Sequence, residues 1–191
     1  MLIKYSNNFS FIYCIKMLHA NKIIIYPTES VFGFGCNPDN DSVITKLFKL
    51  KNRNINKGVI LIASQYNYLL PYINSDKILS FHKKLMCCNW PECITFLVPA
   101  KFNVSKLITG NSGLIAVRIT KHPLVKKLCE YFSKPIVSTS ANISGMPSLT
   151  KKKYLFKYFG LNIPLLYGSL GKNLYPSRIF NIMNGEFIRN D

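Results

Sequence analysis

The chain reads as an α/β protein built on one twisted mixed sheet flanked by helices. Three observations predict it. Short β-branched or apolar runs alternate with stretches of helical periodicity, as in sheets covered by helices. Two of the runs, around residues 94 to 119, lie too close in sequence for a helical crossover, so the sheet is mixed and not purely parallel. Apolar residues at 48% against charged residues at 17% supply a core, and 191 residues suit one well-buried core, so 1–191 is read as a single domain.

Within Phe9 to Ala20, Phe11, Ile12, Ile15 and Leu18 recur at helical spacing, and Asn21 marks the stop. Ile23 to Tyr26, closed by Pro27, predicts a buried strand, and Gly33-Phe34-Gly35 reads as a turn. Asp41 or Ser42 is placed to cap a helix whose apolar positions Val43, Ile44, Leu47 and Phe48 share one face, ending near Lys51. Val59 to Ile62 predicts a strand, and Ser75 or Asp76 opens a third helix through Leu85. Thr95 to Val98 and Leu114 to Ile119 are strands, the second apolar up to Arg118. Pro123 suits the first turn of a helix reaching about Phe132. Pro135 to Ser138 is a strand delivering its end into the polar loop Thr139 to Ser148. Beyond residue 150 the pattern fades, and Lys151-Lys152-Lys153 reads as the solvated start of a helix.

The 25 Lys and Arg against 8 Asp and Glu leave a net +17, a field that favours anionic ligands without naming one. Much of that charge accompanies abundant Asn and Ile, as in Asn52 to Lys57, the signature of AT-rich codon drift. Cys14, Cys36, Cys87, Cys88, Cys93 and Cys129 form no C-x-x-C pair, so no metal ligands are assigned and most of the thiols are expected to be buried. No stretch reaches the ~18 apolar residues of a membrane span, and a cytoplasmic setting is expected.

Four polar clusters follow the strand-like runs: Thr28-Glu29-Ser30, Lys51 with Arg53, Arg118, and Ser138 to Asn142. In open α/β sheets ligands gather where strands end, so these clusters are expected to line one pocket. Lys51 and Arg53 suit a phosphate, as a point charge and a planar fork respectively. Short hydroxyl and amide side chains near Gly145 let backbone N–H groups approach an anion. His19, His82 and His122 stand apart in the sequence and offer no nucleophile–base pair, and the G-x-x-x-x-G-K-[ST] and G-x-G-x-x-G patterns are absent.

These clusters, in order, resemble the YrdC/TsaC family: Tyr26-Pro27-Thr28-Glu29-Ser30-Val31-Phe32-Gly33-Phe34-Gly35-Cys36, Lys51-Asn52-Arg53, Trp90-Pro91, Ala116-Val117-Arg118 with His122-Pro123-Leu124, and Ser138-Thr139-Ser140-Ala141-Asn142-Ile143-Ser144-Gly145. The resemblance spans nearly the whole chain and implies a positively charged concave face on a YrdC-like fold. It also implies a threonylcarbamoyl-AMP synthase that condenses L-threonine, bicarbonate and ATP to threonylcarbamoyl-AMP and pyrophosphate for tRNA position 37. Carried over, Lys51, Arg53, Ser140, Asn142, Ser148 and Ser177 would hold ATP, with Lys51 and Arg53 acting in catalysis. Thr28, Ser30, Arg118 and Ser138 would hold threonine, Arg118 on its carboxylate. Mg2+ is expected with ATP, without assigned protein ligands. A monomer or weak dimer, contact with tRNA or other RNA, and downstream threonylcarbamoyl-transferase partners complete the expectation. Two positions depart from the family pattern: Trp90-Pro91-Glu92-Cys93 replaces Trp-Pro-Gly-Pro, which changes a loop's backbone freedom, and Pro176-Ser177-Arg178 replaces Pro-Ser-Thr in the tail. The alternatives are a non-catalytic RNA-binding or ribosome-maturation factor, and a carbamoyl-transfer module like that of hydrogenase maturation proteins, whose flanking domains this sequence lacks.

Overall fold

A computed structural model describes residues 2–190, with side chains from residue 8 onward. Its centre is one eight-stranded mixed sheet: β1 (Ile24–Pro27), β2 (Phe32–Cys36), β3 (Ile60–Ala63), β4 (Ile94–Pro99), β5 (Leu114–Ile119), β6 (Ile136–Ser140), β7 (Arg178–Asn181) and β8 (Glu186–Arg189), in the order β1-β2-β6-β3-β5-β4-β7-β8. The pairs β3/β5 and β4/β7 run parallel and the rest antiparallel. Six helices accompany it: α1 (Leu2–His19), α2 (Asp41–Lys51), α3 (Ser80–Asn89), α4 (Lys106–Thr109), α5 (Pro123–Phe132) and α6 (Lys152–Phe159).

The period of two along each strand divides the sheet's faces. One face carries Phe34, Cys36, Leu61, Phe96, Val98, Ile115, Val117 and Val137, buried against Val43, Ile44, Leu47 and Phe48 of α2, with Met86, Ile108 and Leu155 in the same core. The other face is shared. Ile24, Tyr26, Ile62 and Ile136 pack under Cys14 and Leu18 of α1 and Val125, Leu128, Cys129 and Phe132 of α5. Farther along the same strands that face is left uncovered by α1 and α5, and there the site described below is built.

Three local readings are corrected. Gly33-Phe34-Gly35 is not a turn but the middle of β2. Its glycines serve close packing: a Cβ on Gly35 would lie 2.7 Å from the Tyr26 ring and 2.8 Å from Ile136. Gly35→Ala is therefore expected to cost about 1–3 kcal/mol of stability, read from urea midpoints at constant m-value. An unchanged midpoint would show that the Tyr26 ring and the Ile136 methyl yield freely.

The third helix does not begin at Ser75 or Asp76. A single 3-10 turn (Ser75–Lys77) is followed by extended Ile78, which is buried in the core, and α3 starts only at Ser80. Burying Ile78 needs an extended backbone there, and that outweighs helical periodicity. In α2 the cap is Asn40, whose side chain accepts from the Val43 N–H, one residue before the expected cap.

Pro27 sits in β1 because β1 is the sheet's edge, where a missing donor is tolerated. That edge is covered by residues 164 to 166: Ile25 N donates to Pro164 O and Leu166 N to Ile25 O. Of the six cysteines, Cys14, Cys36 and Cys129 are buried, while Cys87 and Cys88 are exposed and Cys93 is half-buried. The first three have their thiols pushed up to about 12 by burial.

Candidate active site

A cavity of about 350 Å³ lies on the shared sheet face, floored by Ile60, Leu97, Ala116, Ser138 and Ile179. This corrects the expectation of a strand-end crevice: the floor is made of alternate residues along β5 (Leu114, Ala116, Arg118) and β6 (Ser138, Ser140). Of the residues expected to bind ligand, Thr28, Ser30, Arg53, Arg118, Ser138, Ser140, Ser148 and Ser177 line it. The lining contains Arg53, Lys57, Arg118 and Arg189 and no Asp or Glu. Such a wall favours a multiply charged anion.

Lys51 and Asn142 are not on that wall. Lys51 ends α2, and Asn52 follows in the left-handed conformation at φ 50°, which sends Arg53 off the helix direction. Lys51 itself continues the buried helix face of Ile44, Leu47 and Phe48 and so points inward, 1% exposed. Its ammonium donates to Ser140 O, to Asn142 O at 2.6 Å and to Asn142 Oδ1 at 3.4 Å. The Ser144 N–H returns a bond to Lys51 O at 2.8 Å. Asn142 in turn donates to Ile143 O and Met146 O. Lys51 and Asn142 therefore hold the Ser140–Met146 loop from beneath. Burial, and then the charge of Arg53, pulls Lys51 down to about 7.

Arg53 reaches the cavity with Nε and Nη2 both donating to Gly58 O, at 3.2 and 2.9 Å. Burial and then the nearby Arg189 guanidinium lower its pKa. These two guanidinium groups, with no carboxylate among the lining residues, make this end of the cavity attractive to an anion. Arg189 was missed in the sequence. It sits in β8, and its Nε and Nη2 clasp Ser177 O at 2.9 and 2.5 Å. Ser177 is further held by Thr95 Oγ1 at 2.8 Å, so the tail does reach the cavity. The departure Arg178 is turned outward, its guanidinium 5.3 Å from the Phe187 ring centre.

At the other end Arg118 is 6% exposed, and its Nη2 donates to Glu29 Oε2 at 2.8 Å. Its Nη1 lies 3.6 Å from Cys93 Sγ, and its buried Nε has no partner. The departure Glu92 pairs with Lys121 at 2.8 Å, which fastens the Trp90–Cys93 loop beside this arginine. Ser138 Oγ accepts from the Tyr26 hydroxyl at 2.7 Å, leaving its own proton to donate. Thr28 Oγ1 closes a turn on Val31 O at 2.7 Å, so its hydroxyl proton is already used.

Residues 16–190 match the Sua5/YciO/YrdC family model, described as telomere recombination. The chain belongs to the Sua5/YciO/YrdC family. Its relatives include a threonylcarbamoyl-AMP synthase of Buchnera aphidicola subsp. Schizaphis graminum, 49% identical over 94% of this chain and 95% of the relative. A second, from Serratia proteamaculans, is 43% identical over 92% and 93%. Among solved structures, P. abyssi Sua5 complexed with L-threonine has a TM-score of 0.82 at 25% identity, over 91% of this chain. This chain spans about half (51%) of that protein. The fold is shared also with E. coli YciO, at a TM-score of 0.78 and 18% identity over 96% and 91%. The mixed sheet is thus a scaffold shared with these structures. No helix among the described residues is long and apolar enough to cross a membrane.

Proposed function

We propose that the chain is a threonylcarbamoyl-AMP synthase, acting as a nucleotidyltransferase on ATP, L-threonine and bicarbonate. The observation that carries this reading is a cavity with guanidinium groups at both ends, Arg53 and Arg189 at one and Arg118 at the other, and no lining carboxylate. It occurs in a chain 40–49% identical to relatives of that name.

In this reading Arg118 takes the carboxylate of threonine, and Ser138 and Ser30 donate nearby. The carbamate formed from the threonine amine and bicarbonate, with loss of water, attacks the α-phosphorus of ATP. An O–P bond forms to the carbamate oxygen and the α–β bridging bond breaks, with the electron pair leaving on pyrophosphate. Arg53, Arg189 and the hydroxyls of Ser140, Ser148 and Ser177 stabilise the charge that develops on the phosphates, so no protein nucleophile is needed. Lys51 and Asn142 act from beneath, holding Ser140 in place.

The cavity wall does not fit a protein-ligated metal: it has no carboxylate, and no three His, Cys, Asp or Glu gather among the described residues. Mg2+ therefore belongs to this proposal as part of the nucleotide, held by its phosphates and water. The product would serve N6-threonylcarbamoyladenosine formation at tRNA position 37, in the cytoplasm, with downstream transferases as partners.

Purified protein is expected to release pyrophosphate only when ATP-Mg, L-threonine and bicarbonate are all present. Arg118→Ala should raise the KM for threonine at least about 10-fold, the loss of a charged hydrogen bond. Absence of threonine-dependent release, with salt-sensitive RNA binding that survives Arg118→Ala and Ser140→Ala, would replace this reading with the RNA-binding one.

A further inference from the structure

We infer that Glu29 is a positioning residue for amino-acid binding: it aims the Arg118 guanidinium at the substrate carboxylate. This rests on the reading that Arg118 holds that carboxylate.

An arginine side chain carries several free torsions, and its fork orders a carboxylate only if the fork itself is fixed. Glu29 fixes it. The carboxylate is 4% exposed and takes three donors: Arg118 Nη2 at 2.8 Å on Oε2, and Thr120 Oγ1 at 2.6 Å and Lys121 N–H at 3.1 Å on Oε1. Thr120 Oγ1 is itself located by the His122 N–H at 3.1 Å.

The backbone of Glu29 is equally constrained. Its carbonyl accepts from Asn173 N at 3.0 Å, and Gly171 packs so closely that a Cβ there would lie 2.7 Å from Glu29 Cα. A carboxylate locked from three sides thus presents one face to Arg118. What remains of that guanidinium includes the buried, unpartnered Nε of a residue lining the cavity, a donor awaiting an acceptor. Burial by itself would push the Glu29 carboxyl up, but Arg118, Thr120 and the Lys121 N–H together hold it below its ordinary value, so it stays ionised at neutral pH.

Glu29→Gln keeps the shape and removes the match. In one amide orientation an N–H faces Arg118; in the other it faces the Lys121 N–H. Either way one buried donor loses its acceptor.

The experiment is calorimetric titration of L-threonine into the purified full chain, paired with steady-state pyrophosphate release and thermal melts. Glu29→Gln is expected to weaken threonine binding about 10- to 100-fold, with the KM for ATP within about 3-fold of wild type. The decisive reading is a double-mutant cycle: in an Arg118→Ala background, Glu29→Gln should change threonine affinity by less than about 2-fold. Equal or tighter binding by Glu29→Gln overturns the inference, as does an additive penalty in the double variant. If Glu29→Gln does not fold, Thr120→Val, which removes the shorter of the two donors on Oε1, must show the same selective loss, and a normal threonine affinity there overturns the inference. Wild-type chain that binds no threonine would overturn the proposed function itself, whereas wild-type binding with an unaffected Glu29→Gln sinks only the role of Glu29.

Discussion

Arg53→Ala should lower kcat/KM for ATP by about 100- to 1,000-fold, the usual loss when one preorganised donor to a developing anion is removed. The fold should survive, because the side chain's protein contacts are two bonds to one carbonyl, that of Gly58, worth about 1–1.5 kcal/mol in net terms. Arg53→Lys restores the charge but not the fork: a single ammonium cannot hold Gly58 O and present a second edge to phosphate, so recovery should be partial. Arg189→Ala should fall in the same direction, since it is the other cation at this end. Pyrophosphate release at varied ATP, with circular dichroism as the control for folding, decides it. An Arg53→Ala enzyme with wild-type kcat/KM would mean that phosphate lies elsewhere in the cavity.

Lys51→Met should behave in the opposite way, losing stability first and activity as a consequence. Removal of the ammonium leaves Asn142 O and Asn142 Oδ1 without this buried donor, while Ser140 O keeps only the Asn142 N–H at 3.0 Å. Leaving buried acceptors unsatisfied costs about 1–3 kcal/mol. The pH dependence has a defined sign. The native lysine titrates near 7 and the unfolded one at 10.5, so between those values the unfolded chain holds a proton that the native chain has released. Stability then rises with pH, by at most ~1.4 kcal/mol per unit.

Above about pH 9 the three buried thiols act the other way: the unfolded chain loses protons that the native chain keeps. Comparing wild type with Lys51→Met cancels the thiols. The stability advantage of wild type should widen from pH 7 to 8.5 in urea titrations, and a narrowing advantage would refute the assignment.

The sequence made some of this legible and not the rest, for physical reasons. The pair Lys51 and Arg53 stood out as two cations two residues apart, but the spacing does not tell which one faces ligand. That is decided by the phase of α2, which puts Lys51 on the buried face of Ile44, Leu47 and Phe48, and by the left-handed Asn52, which turns the chain before Arg53. Arg118 was visible because a charge closed an otherwise apolar strand. Its partner Glu29 was in plain view in Thr28-Glu29-Ser30, yet a separation of 89 positions hides the ion pair.

Arg189 left no local signal. It ends a four-residue strand whose neighbours are exposed, and its meaning comes only from lying near Arg53. The Ile136–Ser140 strand illustrates the same limit: Ile136 lies under helices while Ser138 floors a cavity, on one side of one strand. Alternation fixes the side a residue faces, and what covers that side depends on where α1 and α5 stop.

The late position of β8 also sets an order of assembly during synthesis. Arg53, Arg118 and Ser140 are translated well before Arg189, and the sheet from β1 to β6 can pair without it. Until the final hairpin of β7 and β8 docks on β4, the nascent chain carries Arg53, Lys57 and Arg118 at the cavity without Arg189. A chain cut short inside the last hairpin therefore lacks one of the four cations of the cavity lining.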